Sequence, residues 1–195
     1  MKIHQVINSL FASNSWILDF EKNCWLVDCG DVRPIVEIIG KMPLVGVLLT
    51  HAHYDHIYGL NELLDLYQGI PVYTNEVGRE MLLNEKMNLS RYHETPFVFE
   101  YPQNIRIIND GDEIVLNGEC KLKVAATPGH NDSCLTFVSD KDIFTGDSYI
   151  PGIKVVTNLP SGRKQIAKQS VERILKLAIG KTIYPGHGDI TSSLE

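Results

Sequence analysis

Residues 50–56 read Thr50-His51-Ala52-His53-Tyr54-Asp55-His56, and this run constrains the fold more than any other stretch of the chain. Three imidazoles and a carboxylate are the ligands of borderline metals such as zinc. Neither a packed core nor a solvated loop needs them at that density. Upstream, Val45-Gly46-Val47-Leu48-Leu49 reads as a buried strand; downstream, Ile57-Tyr58-Gly59-Leu60-Asn61-Glu62-Leu63-Leu64 carries a helical pattern. Ligands between a strand end and a helix start imply an α/β architecture, in which strand ends gather the chemistry.

Three more metal-capable side chains sit in similar surroundings. His130 ends Thr127-Pro128-Gly129-His130, after the apolar stretch 122–126. Asp147 lies in Thr145-Gly146-Asp147-Ser148, and His187 in Pro185-Gly186-His187-Gly188. Each follows a strand-like segment and stands beside a glycine that lets the backbone turn tightly. Singly, His130 and His187 read as solvated or hydrogen-bonded loop histidines and Asp147 as a turn residue; joined to the cluster at 51–56 they form a pattern. Asp28, at the end of another apolar segment, is expected to orient a ligand imidazole. His4 and His93 read as ordinary solvated or hydrogen-bonded histidines.

The 195 residues are read as one domain, 1–195, with room for a real core. A net charge of −6 argues against a nucleic-acid backbone as partner, which wants clustered Lys and Arg. The N-terminal stretch has neither a long apolar run nor a cleavage site, so neither a signal peptide nor a membrane span is expected. Cys24, Cys29, Cys120 and Cys134 form no close pair and read as reduced thiols, which fits a cytoplasmic protein.

Strands are predicted at 2–8, 15–20 and 24–28, with a hairpin turn near Glu21-Lys22-Asn23. A helix at 32–41, with Pro34 in its first turn, leads to a strand at 45–50 and a helix at 57–67. A short strand at 71–74 precedes a helix capped by Asn75 and running to about 84. Residues 85–103 fit no period; Tyr92, His93, Phe97, Phe99 and Tyr101 could wall a substrate site or simply pack. Strands near 105–109, 113–117, 121–126, 134–138 and 142–145, a helix at 163–179 and a strand at 182–184 complete the pass. Strands leading each half suggest two face-to-face sheets with helices outside.

The order His-x-His-x-Asp-His, Pro-Gly-His, Gly-Asp, Gly-His-Gly, with an early Asp-x-Gly at Asp28 and Gly30, resembles the metallo-β-lactamase superfamily over nearly the whole chain. The resemblance implies a four-layer αββα sandwich. It implies that His51, His53 and His130 hold one metal, that Asp55, His56 and His187 hold a second, and that Asp147 bridges them. Two zinc ions are expected, with iron or manganese as alternatives, and Asp55 and Asp147 would be catalytic. The implied activity is a dinuclear metal-dependent hydrolase using a metal-bridging hydroxide on a small-molecule substrate, with a small thioester or ester foremost. Lactonase and phosphodiesterase chemistry occur on the same fold. A mononuclear iron persulfide dioxygenase, using His51, His130 and Asp147, is the alternative of a different class. Asp147 argues against a true β-lactamase, since those enzymes lack an Asp at the bridging position.

The motif set is closest to short members resembling glyoxalase II (hydroxyacylglutathione hydrolase). Two departures stand out. The chain ends eight residues after His187, so the C-terminal helical domain of the larger enzymes is not expected. The basic residue of a Gly-Arg or Gly-Lys pair past the bridging Asp is also missing, with Lys154 and Arg163 as the candidate replacements. Ser148 and Tyr149 are candidate substrate contacts.

Overall fold

The computed structural model describes residues 1–118 and 120–192. A first sheet of six strands runs in chain order: β1 (Lys2–Ile7), β2 (Asn14–Asp19), β3 (Cys24–Val27), β4 (Leu44–Leu48), β5 (Val72–Thr74) and β6 (Ile105–Ile107). β1, β2 and β3 pair antiparallel; β3 through β6 pair parallel. Parallel pairs need crossovers, and α1 (Val32–Ile39), α2 (Leu60–Leu66) and α3 (Glu76–Leu82) supply helices to them. Asn75 caps α3 as expected, its side chain accepting from the Gly78 amide at 2.8 Å.

The second sheet has the order β12-β11-β10-β9-β8-β7. Its members are β7 (Glu113–Asn117), β8 (Cys120–Ala126), β9 (Leu135–Val138), β10 (Asp142–Gly146), β11 (Thr182–Pro185) and β12 (Thr191–Ser192). β10 and β11 are parallel and are joined through α4 (Lys164–Leu177).

Side-chain alternation makes the layers. Trp16, Val27 and Leu48 form a cross-strand row on the inner face of the first sheet. Val124, Phe137, Phe144 and Tyr184 form the facing row on the second. The rows meet where Trp16 and Tyr184 pack edge to face, ring centroids 5.1 Å apart. The intervening residues Ile17, Leu26 and Val47 point the other way, into a cluster with Ile35, Ile39, Leu60 and Leu63 of α1 and α2. Ile143 and Ile183 pack likewise on Ile174 and Ala178 at α4. The result is helix, sheet, sheet, helix, the four-layer sandwich the sequence implied. Each fully buried Leu, Ile or Phe contributes roughly 1.5–3 kcal/mol of hydrophobic stabilisation.

Candidate metal centre

β4 stops at Leu48, and the chain runs on through Leu49 and Thr50 into the histidine run. Tyr54–His56 form a 3-10 turn rather than the start of the helix, which begins only at Leu60. Pairs of i to i+3 bonds, His56 N to His53 O at 3.0 Å and Ile57 N to Tyr54 O at 3.1 Å, make that turn tighter than an α-helix. It places Asp55 and His56 together on one side, facing the second sheet. There the ends of β8, β10 and β11 deliver His130, Asp147 and His187.

All seven residues singled out from the sequence converge. The ligand atoms of His51, His53 and His130 lie within 4.8 Å of one another, as do those of Asp55, His56 and His187. Asp147 stands between the groups: Oδ2 is 3.5 Å from both His130 Nε2 and His187 Nε2, and Oδ1 is 3.5 Å from His56 Nε2. Gly186 leaves room for it, since a Cβ there would stand 2.1 Å from Asp147 Oδ1.

Hydrogen bonds on the far side of three rings decide what faces the centre. His130 Nδ1 donates to the Val156 carbonyl at 2.8 Å, and His187 Nδ1 to the Phe11 carbonyl at 3.1 Å. His56 Nδ1 donates to Asp28 at 3.0 Å. With Nδ1 committed, each neutral ring turns a bare Nε2 inward. Asp28 behaves as the sequence suggested. Its carboxylate also accepts from the Thr50 amide at 2.7 Å and hydroxyl at 2.6 Å, which anchors the strand end carrying His51.

These groups fit divalent cations. The buried His51 Nε2 and Asp147 Oδ1 have no hydrogen-bond partner. His56 Nε2 and His187 Nε2, two acceptors when neutral, face each other at 3.3 Å. A bound cation satisfies all of these acceptors at once. The charge balance shows the same demand. Burial pushes the His51 imidazole well below its ordinary value and His53 down to about 3. Burial also opposes charging His56 and His187, but Asp55 and Asp147 outweigh it, holding His56 well up and His187 at about 9. In Asp147, burial is overcome by His56 and His187, and the carboxyl stays well below the usual range.

A cleft of about 340 Å³ opens over these atoms. Its walls include Tyr92 and His93, two of the wall candidates from the sequence, and Phe11 and Leu89, which the sequence did not mark. His93, read as an ordinary histidine, packs between Phe11 and Tyr54, with ring centroids 5.8 and 4.8 Å away. Phe97 and Phe99 are buried instead. Ser148 is a correction: it is buried and bonded to Thr127, and Tyr149 lines a separate cavity against α4.

The metallo-beta-lactamase superfamily model matches residues 8–187. A probable metallo-hydrolase of Streptococcus pyogenes serotype M6 is 32% identical over 203 residues, covering 98% of this chain and 86% of its own. A hydroxyacylglutathione hydrolase of Serratia proteamaculans is 29% identical over 136 residues, 68% of this chain and 45% of that enzyme. Among solved structures, the BLEG-1 B3 metallo-beta-lactamase superposes with TM-score 0.89 at 24% identity, covering 98% of this chain and 94% of that one. TTHA1623 in a di-iron-bound form gives 0.81 at 23%, covering 97% and 94%. ETHE1 from Myxococcus xanthus gives 0.75 at 22%, covering 98% and 80%. The matched span encloses every histidine and aspartate of the centre, and by this sequence match and its fold the chain belongs to the metallo-beta-lactamase superfamily.

Proposed function

We propose that this chain is a dinuclear metal-dependent hydrolase of a small thioester or ester. The position of Asp147 carries the reading: its two oxygens reach histidines of both ligand groups. In this reading His51, His53 and His130 would hold one cation and Asp55, His56 and His187 the other, with Asp147 standing between the two groups. Two zinc ions are the proposed pair, and the nitrogen and oxygen donors suit iron or manganese as well. Divalent cations here supply Lewis acidity and make water nucleophilic at neutral pH.

The residues do the rest. Asp55 lines the cleft, and its carboxylate accepts a hydrogen bond from the attacking water and aims it at the acyl carbon. Asp147 offsets positive charge between the two groups and holds their spacing. Asp28, Val156 and Phe11 keep His56, His130 and His187 in one tautomer and one orientation. Asp55, His56 and His187 form a complete second ligand set, which favours this reading over a single iron held by His51, His130 and Asp147. The hydrolase names among the relatives and the motif set support the thioester and ester class.

The test is a hydrolysis screen of thioesters, esters, lactones and phosphodiesters with metal content measured on the same sample. Two zinc per chain and thioester or ester turnover are expected. Asp147→Ala should lose at least about 100-fold in kcat, the scale of removing a key electrostatic partner, and hold less metal with its circular dichroism unchanged. One iron per chain with oxygen uptake on a persulfide would overturn the proposal, as would full turnover and full metal in Asp147→Ala.

A further inference from the structure

Resting on the hydrolase reading above, we infer that the site takes substrates whose group beyond the scissile bond is uncharged and aromatic or otherwise apolar, and that it turns away anionic thiol carriers such as glutathione. Among the described residues, no lysine or arginine lines the cleft. Both cations that could have replaced the missing basic residue point elsewhere. Lys154 lines the separate cavity against α4, and Arg163 is paired with Asp132. The residues of that loop which do line the cleft are Val156 and Leu159, both apolar.

What the cleft offers instead is ring surface. Phe11, His93 and Tyr54 form one continuous wall, Phe11 edge to face with His93 and His93 tilted against Tyr54. Tyr54 also packs on the core, but Phe11 is 67% exposed and Tyr92 74% exposed, so those two rings are left uncovered by the chain. Uncovered aromatic surface beside a reactive centre is what a ligand's apolar part covers.

The backbone is bent to hold that wall. Phe11, Ala12 and Leu89 have φ of 54°, 53° and 71°, a left-handed region that bulky side chains avoid. The surroundings enforce it. The Phe11 carbonyl accepts from His187, which ties the ring's position to the metal centre. Next to Leu89, the Asn88 side chain donates to the Met81 and Phe97 carbonyls at 3.0 and 3.1 Å. Strain kept in place this way clusters at functional sites. A carboxylate moved against these rings would lose its hydration and find no cation beyond the reacting centre.

The test compares the thioacetates of 4-methylbenzenethiol and 4-mercaptophenylacetic acid, which differ by one carboxylate remote from the thioester. Zinc-loaded protein should show kcat/KM at least about tenfold higher for the neutral one, the scale set by a polar group left unpaired in an apolar site. Phe11→Ala should shrink that ratio by raising KM for the neutral substrate. Leu159→Arg, at the cleft rim, should improve the anionic one, and Lys154→Ala should change neither. Equal rates, a preference for the anion, or loss of the anionic activity in Lys154→Ala would overturn the inference. A second arm does not depend on turnover: ligand-observed NMR of metal-free protein with 4-methylacetophenone and 4-acetylbenzoate. Tighter binding of the ketone supports the inference, and equal or reversed binding sinks it. Should neither thioester be hydrolysed by protein holding two zinc, the hydrolase reading fails while the binding arm still decides the specificity.

Discussion

Asp28 lines no part of the cleft, yet it holds both ends of the histidine run, through Thr50 beside His51 and through the ring of His56. Asp28→Asn exchanges an oxygen acceptor for an amide donor at that junction. Its zinc affinity should fall about 10–100-fold, the usual effect of removing a ligand's hydrogen-bond partner, in competition with a chromophoric chelator. The four cysteines are free. Burial pushes the Cys24 thiol up to about 11, Cys134 to about 12 and Cys29 well above its ordinary value. Native protein at pH 8 should therefore leave these three unlabelled by Ellman's reagent, and denatured protein should expose them all. The sign for stability follows. Thiols whose folded pKa is raised contribute fully below their unfolded value near 9 and lose that contribution as pH rises through about 11. His93 shows the limit of reading single residues. Nothing in its neighbours along the chain reveals that Phe11 and Tyr54 meet it in space.

At the scale of elements, strand ends set the geometry of the centre and glycines let the chain leave them. Gly129 has φ of +127°, and a Cβ there would stand 2.3 Å from the Ala167 amide nitrogen of α4. The Arg163 amide donates to the Gly129 carbonyl at 2.8 Å, so the turn carrying His130 is pinned against that helix. Gly129→Ala should push His130 out of place. We expect weaker metal binding and a lower melting temperature in a variant that alters no ligand. Periodicity located β2, β3, β4, β8 and α4 within a few residues, because both faces of β2, β3 and β4 meet a core, β8 alternates buried Leu122 and Val124 with exposed Lys121 and Lys123, and one stripe of the helix is buried. It missed β12, two exposed polar residues with no apolar pattern to show. It started α2 at Ile57, three residues before Leu60, because Ile57 is buried and fits the apolar stripe although the chain there is still leaving the 3-10 turn.

Across the whole molecule, the two ligand groups come from both sheets: His51, His53, Asp55 and His56 follow β4, while His130, Asp147 and His187 follow strands of the second sheet. Bound metal therefore fastens the sandwich across its open edge. Zinc at 100 times its dissociation constant should add about 2.7 kcal/mol to stability. Scanning calorimetry should show this as a rise of several degrees, at roughly 2–4 °C per kcal/mol for a chain of this size. Chelation should reverse it, and Asp147→Ala should show less of it. Much of this protein was readable in one dimension. Ligand types beside glycines at strand ends carry a local signal, since metal coordination and tight turns each demand particular residues, and from these the family, the sandwich and the seven-residue set could be named. The cleft was readable only in part: Tyr92 and His93 stood among the wall candidates, but beside Phe97 and Phe99, which are buried. Phe11, Leu89 and His93 come from three loops, Lys154 and Arg163 turn away toward α4 and Asp132, and such directions depend on packing between segments distant in sequence. The centre was written in residue chemistry, and the walls of the cleft above it were decided only by how the loops fold over it.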